Sequence, residues 1–444
     1  MSQSILPIEL SERREAARPQ PMPQRQARVR RPVRNQVEMI ARDLDSMIAD
    51  DHPVRAVWEF LNKLDLSTFY GSIKAALDQP GRPASDPQVL LALWVYATVE
   101  GIGSARRLAR LCEEHDVYRW LRGGIPIDYH LLAEFRVSHK EDMDDLITQV
   151  LAVLLKAKVV DLKRVAQDGM RVRASAGQAS FRRERSLQEC LSGAQEQVRE
   201  VAEERGHPDR GASERERAAR ERAVRERQER VEHALRELSA VQAVKERQRK
   251  HAGKKRAAKI QEARVSTTDP VARRMKMADG GFRPGYNVQF ATDTRTQVIA
   301  GVAVTNHGTD QGEAMGVEEQ VARRAGKHPE DYLIDGGFVA LKDIETLERN
   351  GVKVYAPVKD TGEMGVDRRA AKTLEVAAWR ERMETEEAKG IYKERAATAE
   401  CVNALMRARY GLKQFTVRGL PKVLCVTLLL VVTHNLLRWI TLTN

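Results

Sequence analysis

Hydrophobic and polar positions change period several times along this chain, and each change marks a different kind of element. From about residue 36 to 157 the apolar residues recur at helical spacing. Asp86-Pro87 opens a helix running to about Val99, with Leu90, Leu91, Leu93, Trp94 and Tyr96 as its apolar bulk. Gly101-Ile102-Gly103 breaks it, and Ser104 caps a second helix, Ala105 to Cys112. A short helix around Val117 to Leu121 stops at Gly123-Gly124, another starts at Pro126-Ile127-Asp128, and the mostly apolar run Leu146 to Val160 leads into a strand. Between 178 and 263 the apolar content thins to a seam: Val224, Val231, Leu235, Leu238 and Val241, spaced by seven, four, three and three. A narrow seam on a highly charged helix predicts a helical hairpin or coiled-coil insertion.

From about 265 the period shortens to that of strands. Tyr286-Asn287-Val288-Gln289-Phe290 alternates, Val298 to Val304 follows, and the turn Thr292-Asp293-Thr294-Arg295 predicts an antiparallel hairpin. Asp310, with Glu313 three residues on, reads as a helix cap with its capping-box partner. Asp331 to Asp335 is the next strand, Leu341 to Arg349 a helix and Val352 to Pro357 a buried strand. Residues 359 to 390 read as an exposed polar insertion, Tyr392 to Arg409 as one helix, Gln414 to Val417 as strand-like, and the chain closes on an apolar helix.

Two strands end on the same device. Arg164-Val165-Ala166-Gln167-Asp168-Gly169 and Asp331-Tyr332-Leu333-Ile334-Asp335-Gly336-Gly337 each deliver an Asp followed at once by Gly, which permits close approach of a ligand or backbone. Glu400 adds a third carboxylate from a helix. Taken singly, a strand-end Asp is more often a turn or cap residue. An ordered set of three hard-oxygen donors suits divalent cations in phosphoryl transfer. The order strand with Asp, hairpin, helix, strand with Asp, helix, strand, helix with Glu is that of an RNase H-like fold. The fold class is therefore α+β: an N-terminal helical domain, then a mixed sheet interrupted by a helical insertion.

Composition adds a partner. The 444 residues carry a net charge of +12 and a pI near 9.5, which favours a polyanion, nucleic acid first. Helix, glycine turn and basic helix resemble a helix-turn-helix, with Arg106, Arg107 and Arg110 as candidate DNA contacts. A bundle whose arginines face solvent accounts for the same spacing. Residues 1 to 35 form a Pro- and Arg-rich arm expected to be disordered, and Lys254-Lys255-Arg256 is a second basic run. Four scattered cysteines, Cys112, Cys190, Cys401 and Cys425, show no zinc or redox spacing. The longest nearly apolar run, Val423 to Val432, is too short to span a bilayer, so no membrane is expected.

Several stretches carry a resemblance to a known family. They are Asp168-Gly169 followed by Val172 and Ala174, Thr268-Asp269-Pro270 with Met275-Lys276, Gly285-Tyr286-Asn287-Val288-Gln289, and Thr305-Asn306 through Asp310. Asp335-Gly336-Gly337-Phe338, the spaced Tyr392, Arg395, Glu400 and Arg407, and Asn435-Leu436 with Arg438 complete the set. Together and in order, from about residue 40 to the end, they resemble the DDE transposases of bacterial insertion sequences, specifically the insertion sequence five superfamily and its eleven-eighty-two group. Two stretches depart from it. Asp128-Tyr129-His130-Leu131 lacks the Thr or Ser that often follows the His, and Val402-Asn403-Ala404 lacks the aromatic common after the Glu.

The resemblance implies a disordered arm over 1–35, a helical DNA-binding domain over 36–157, and an RNase H-like catalytic domain over 158–444 interrupted at 178–263. It implies two Mg²⁺ ions, with Mn²⁺ as substitute, Asp168 bridging both and Asp335 and Glu400 holding one each. Without metal, the three carboxylates are expected to repel and to titrate high. Tyr392, Arg395 and Arg407 are implied DNA contacts flanking the scissile phosphate, although an ion pair with Glu394 or Glu400 is as good a reading of Arg395. Asn287 and Gln289 share a strand face, for DNA contact or cross-strand hydrogen bonding. The implied partners are terminal inverted repeats, target DNA and a second copy in a synaptic dimer, in the bacterial cytoplasm on the nucleoid. The competing readings are a stand-alone nuclease of the same fold and a catalytically inactive DNA-binding protein derived from a transposase.

Overall fold

Local signals at the helix starts are carried directly into the computed structural model, which describes residues 41–71, 73, 83–204, 213–253, 257–358 and 373–443. The arm of residues 1 to 35, the Lys254-Lys255-Arg256 run and the first part of the 359–390 insertion lie outside the described residues. In the N-terminal region, helices α1 (Pro53–Leu61), α2 (Ser67–Gly71), α3 (Pro87–Val99), α4 (Ala105–Glu114), α5 (Asp116–Arg122), α6 (Tyr129–Ser138) and α7 (Lys140–Lys156) follow one another. The Asp86 side chain accepts from Gln88 N, Ser104 from Arg107 N and Asp128 from His130 N and Leu131 N, so each cap satisfies a donor that the first turn leaves over. Helix α3 is buried on nearly all sides and is the axis of this region.

The sheet is mixed. Strand β1 (Arg164–Arg173) pairs antiparallel with β5 (Phe282–Asp293) and parallel with β7 (Asp331–Leu333), which pairs parallel with β8 (Lys353–Tyr355). The outer edge of β5 is long enough to take two partners, β4 (Arg273–Lys276) and then β6 (Ile299–Thr305), both antiparallel. The predicted hairpin is thus β5–β6. A separate two-stranded ribbon, β2 (Phe181–Arg182) with β3 (Val265–Ser266), closes the root of the insertion. The insertion is the expected helical hairpin, α8 (Glu184–Glu204) and α9 (Glu214–His251). Its seam buries Val231, Ala234 and Leu238 against Leu187 and Ala194, with Leu235 half-buried beside them.

Helices α10 (Ala314–Ala325), α11 (Leu341–Arg349), α12 (Leu374–Glu384), α13 (Glu386–Arg395) and α14 (Cys401–Ala408) cover the sheet, and α15 (Leu420–Thr443) ends the chain. By length and composition α15 could cross a membrane, but two-thirds of its apolar window is buried inside the protein. It packs on α3, α6, α7 and β6 and so joins the helical region to the sheet. Buried Asn435 accepts from Ile299 N (2.9 Å) and donates to Ile299 O (2.8 Å), pairing the free edge of β6 with a side chain in place of a strand.

Four expectations need correcting. The described part of 359–390 is not an exposed insertion: it forms α12 and the start of α13, which bury Val376, Trp379 and Ala388. Gln414 to Val417 is no strand: it makes one bridge to Arg173 and otherwise runs as loop, its alternation reflecting the burial of Phe415 against the end of β1. Tyr392 to Arg409 is not one α-helix, because α13 and α14 are joined by a π-helical turn, Ala396–Glu400. Asp310 does not cap a helix with its side chain: α10 starts at Ala314 after Glu313, and the Asp310 carboxylate turns inward to the sheet.

Candidate active site

Register brings the first two acids together. Parallel pairing of β1 and β7 ends at Ala166 opposite Leu333. Asp168 and Asp335 each lie two residues beyond that rung, so they leave adjacent strands side by side. Asp335 sits in the turn after β7 and accepts from Gly337 N at 2.6 Å. The third acid is brought in by the helices. Ala166, Leu333 and Tyr355 on the sheet meet Ala388 and Ala399, and these small side chains let α13 and the π turn lie close to the strands. Arg164 pins the same helix by bonding Asp331 (2.9 Å) and Glu394 (2.7 Å). The π turn then sets the angle at which Glu400 emerges, a local distortion common at functional sites.

Arg395 stands between the carboxylates. Its guanidinium is 2.8 Å from Glu400 Oε1 and 3.6 Å from Asp168 Oδ1, and it lies 5.8 Å from the centre of the Tyr392 ring. The ion pair with Glu400 is therefore present, and it extends to the first acid. Asp168 also accepts from Asn403 Nδ2 (2.9 Å) and from its own neighbour Gly169 N (3.0 Å). On balance the Asp168 carboxyl is raised to about 6, with burial as the largest cause. Arg395, the Gly169 amide and Asn403 pull it back, and Asp335 adds a smaller upward push. Loss of hydration, more than repulsion among the three acids, dominates the shift, which corrects the expectation from sequence.

The donor set is right in kind for a hard divalent cation. Three carboxylates and the buried amide oxygen of Asn403, which has no donor among the described residues, are all oxygen ligands. Among the described residues, no three acidic, His or Cys side chains by themselves close around an ion. The guanidinium of Arg395 supplies the positive charge at this point.

The opposite face of β1 holds a second polar cluster that the sequence reading placed elsewhere. Asp310 accepts from Asn287 (2.7 Å), Gln289 (2.8 Å) and Arg171 (2.8 Å). Gln167 donates to Gln289 Oε1 (3.2 Å) and accepts from Tyr332 (2.6 Å). Asn287 and Gln289 are fully buried and bond inward, both to Asp310 and Gln289 also across the strands to Gln167. Gly169 is required beneath them: a Cβ there would come within 2.5 Å of Gln289 Nε2 and closer still to Asp310 Oδ1. The glycine after Asp168 thus makes room for Asp310.

The remaining predicted residues lie apart. Arg106, Arg107 and Arg110 are exposed on α4, with Arg106 stacked 4.8 Å from the Tyr129 ring centre. Arg407 is half-buried on α14, two turns past Glu400. Among the described residues, no hydrogen bond or ion pair joins these four to the acidic cluster. Asn403 was missed from sequence, although its place three residues after Glu400 puts it on the same helix face.

Comparison with known families gives two matches. Residues 42–138 match a family described as a transposase domain (DUF772), and residues 359–440 match one described as a transposase DDE domain. The second match contains Tyr392, Arg395, Glu400 and Arg407; Asp168 and Asp335 precede it. No curated protein and no solved structure matches the chain. Transposases act on DNA, and DDE transposases generally use divalent metal ions. One match falls in the helical half and one in the acidic half, both to transposase domains, and together they support a DDE insertion-sequence transposase.

Proposed function

We propose that this transposase binds the terminal inverted repeats of its element and cleaves and transfers DNA strands with two divalent cations, Mg²⁺ or in its place Mn²⁺. Asp168, central on β1, would hold the ions together with Asp335 and Glu400. Bound metal would activate an oxygen nucleophile and neutralise the leaving oxygen. The chain's own residues do the rest. Arg395 neutralises Asp168 and Glu400 and is placed to offer its fork to a phosphate beside the scissile bond. Asn403 orients Asp168 by holding Oδ2. Tyr392 and Arg407 extend the DNA contact along the same helical segment, and Arg106, Arg107 and Arg110 grip DNA from the helical region.

The observation that carries this reading is that one guanidinium, Arg395, pairs with both Glu400 and Asp168, while Asp335 leaves the strand next to that of Asp168. The strand order β6-β5-β1-β7-β8, with β1 central, supports an RNase H-like catalytic domain over 158–444, after a DNA-binding domain over 36–157. The resemblance of the sequence blocks supports the eleven-eighty-two group, action as a synaptic dimer and work on the nucleoid. The test is a gel assay with a labelled duplex ending in the element's terminal repeat, with Mg²⁺. Wild type is expected to cut at the end and Asp335→Ala to bind without cutting. Equal product from both would overturn the assignment, and binding without cutting by both would favour the inactive DNA-binding descendant.

A further inference from the structure

The root of the α8–α9 arm holds a cleft whose charge is unlike that of the arm above it. Along the arm, arginines are neutralised by nearby acids: Arg220 by Glu204 (2.8 Å), Arg225 by Glu221 (2.6 Å), Arg185 by Glu189 (3.2 Å). At the root, a cleft of about 370 Å³ is lined by Lys245, Lys259, Arg264, Arg273 and Arg274, with Glu262 as its one carboxylate. Glu262 is already paired with Arg183 at 3.0 Å, and Arg273 with Glu237. Lys259, Arg264 and Arg274 are exposed and have no carboxylate partner among the described residues. Lys245 donates to the carbonyls of Gln261 (2.6 Å) and Glu262 (3.0 Å), so its charge too is unmatched by a side chain. Burial lowers its pKa, Arg249, Arg274 and Arg264 lower it further, and Glu262 offsets them only in part, as expected where cations outnumber acids. Phe282, 54% exposed, forms part of the wall.

We propose that this cleft is a second DNA site, which seats the sugar–phosphate backbone of duplex DNA on Lys245, Lys259, Arg264 and Arg274 with Phe282 against a deoxyribose. The proposal rests on the transposase reading for its choice of polyanion. Unmatched cations in a concave wall concentrate the potential that a phosphodiester chain answers. The sheet sets the distance to the acids. Arg274 pairs with Pro284 on β5, and the neighbouring Gly285 pairs with Arg173, five residues along β1 from Asp168. At about 3.3 Å per residue along a strand and 4.8 Å between strands, the cleft lies roughly 20 Å from Asp168. That is roughly six base pairs along a duplex at 3.4 Å each. The arm's root would therefore hold the element's end inward of the cut and fix its register.

The test measures affinity of the full chain for a duplex carrying the element's end, and for an unrelated duplex, over a range of salt. The variants are Lys259→Ala/Arg264→Ala/Arg274→Ala and the control Arg225→Ala. The triple variant is expected to bind both duplexes about tenfold or more weakly, with its salt slope reduced by roughly 0.9 for each lost phosphate contact. The control is expected to match wild type. A photocrosslinking residue in place of Phe282, with every cation intact, is expected to capture duplex DNA, which guards against misfolding of the triple variant. An unchanged slope together with no crosslink overturns the cleft while leaving end cleavage, and so the transposase reading, untouched. If wild type fails to cut the element's end, that reading fails instead, and the slope on the unrelated duplex still decides the cleft.

Discussion

The two faces of β1 hold a carboxylate in opposite ways. On one face Asp310, brought in from a loop, is met by a dedicated guanidinium at 2.8 Å and by two amides. On the other, Asp168 shares Arg395 with Glu400, and the shared cation leans toward Glu400, 2.8 Å against 3.6 Å. Asp310 is compensated and serves packing. Asp168 is half-buried with a shared cation, and on the proposed reading a divalent cation would supply the remaining compensation. On the proposed reading, β1 is thereby backed by a saturated acid from a loop and carries an unsaturated one in front.

The largest expected effect separates the faces by activity. Asp168→Ala should reduce metal-dependent strand cleavage to background in a gel assay while leaving DNA affinity near wild type. An equal loss of binding would break the distinction. On the other face, Asp310→Ala leaves Arg171 and two buried amides without their acceptor and should cost about 3 kcal/mol or more in denaturant unfolding. A cost below about 1 kcal/mol would mean that Asp310 does not support β1.

Gly169→Ala drives a methyl into Asp310 and Gln289 and should cost roughly 1–3 kcal/mol, read as a lower unfolding midpoint. It should slow cleavage less than Asp168→Ala, since it disturbs the support and spares the ligand. A smaller effect of opposite sign belongs to Asp168 itself. Its pKa is raised in the folded, metal-free protein, so the native state binds the proton more tightly than the unfolded chain. Its stabilising contribution is present below the unfolded value and is lost as pH rises through about 6. Asp168→Asn should therefore stabilise the metal-free protein at pH 8 by about 1–2 kcal/mol and flatten the stability profile between about pH 4 and 6. A variant less stable than wild type at pH 8 would show that Arg395 and Asn403 outweigh burial. The smallest effect is on the arm, where Arg225→Ala removes an exposed i,i+4 pair and should change stability by less than about 0.5 kcal/mol.

How much was legible follows the range of the interactions. Asp86, Ser104 and Asp128 announce helix starts because a cap is completed within three residues, and Leu341–Arg349 is read to the residue. Asp168 and Asp335 are readable because a strand, an Asp and a Gly are contiguous. The π turn before Glu400, the hold of Asn403 on Asp168 across 235 positions, and the inward turn of Asp310 are not, since each is decided by partners remote in sequence. Asp310 shows the limit best: Asp followed three residues later by Glu is a capping-box pattern, and the unsatisfied amides of Asn287 and Gln289 outcompeted it.

The most direct measurement of the difference between the two faces is Mn²⁺ binding, followed by electron paramagnetic resonance in the presence of an element-end duplex. The proteins are wild type, Asp168→Asn and Asp310→Asn, each checked to be folded. Wild type and Asp310→Asn are expected to bind Mn²⁺ alike, and Asp168→Asn to lose most of the binding. Undiminished binding by Asp168→Asn, or no binding by wild type, would contradict the assignment of the Asp168 face as the metal site.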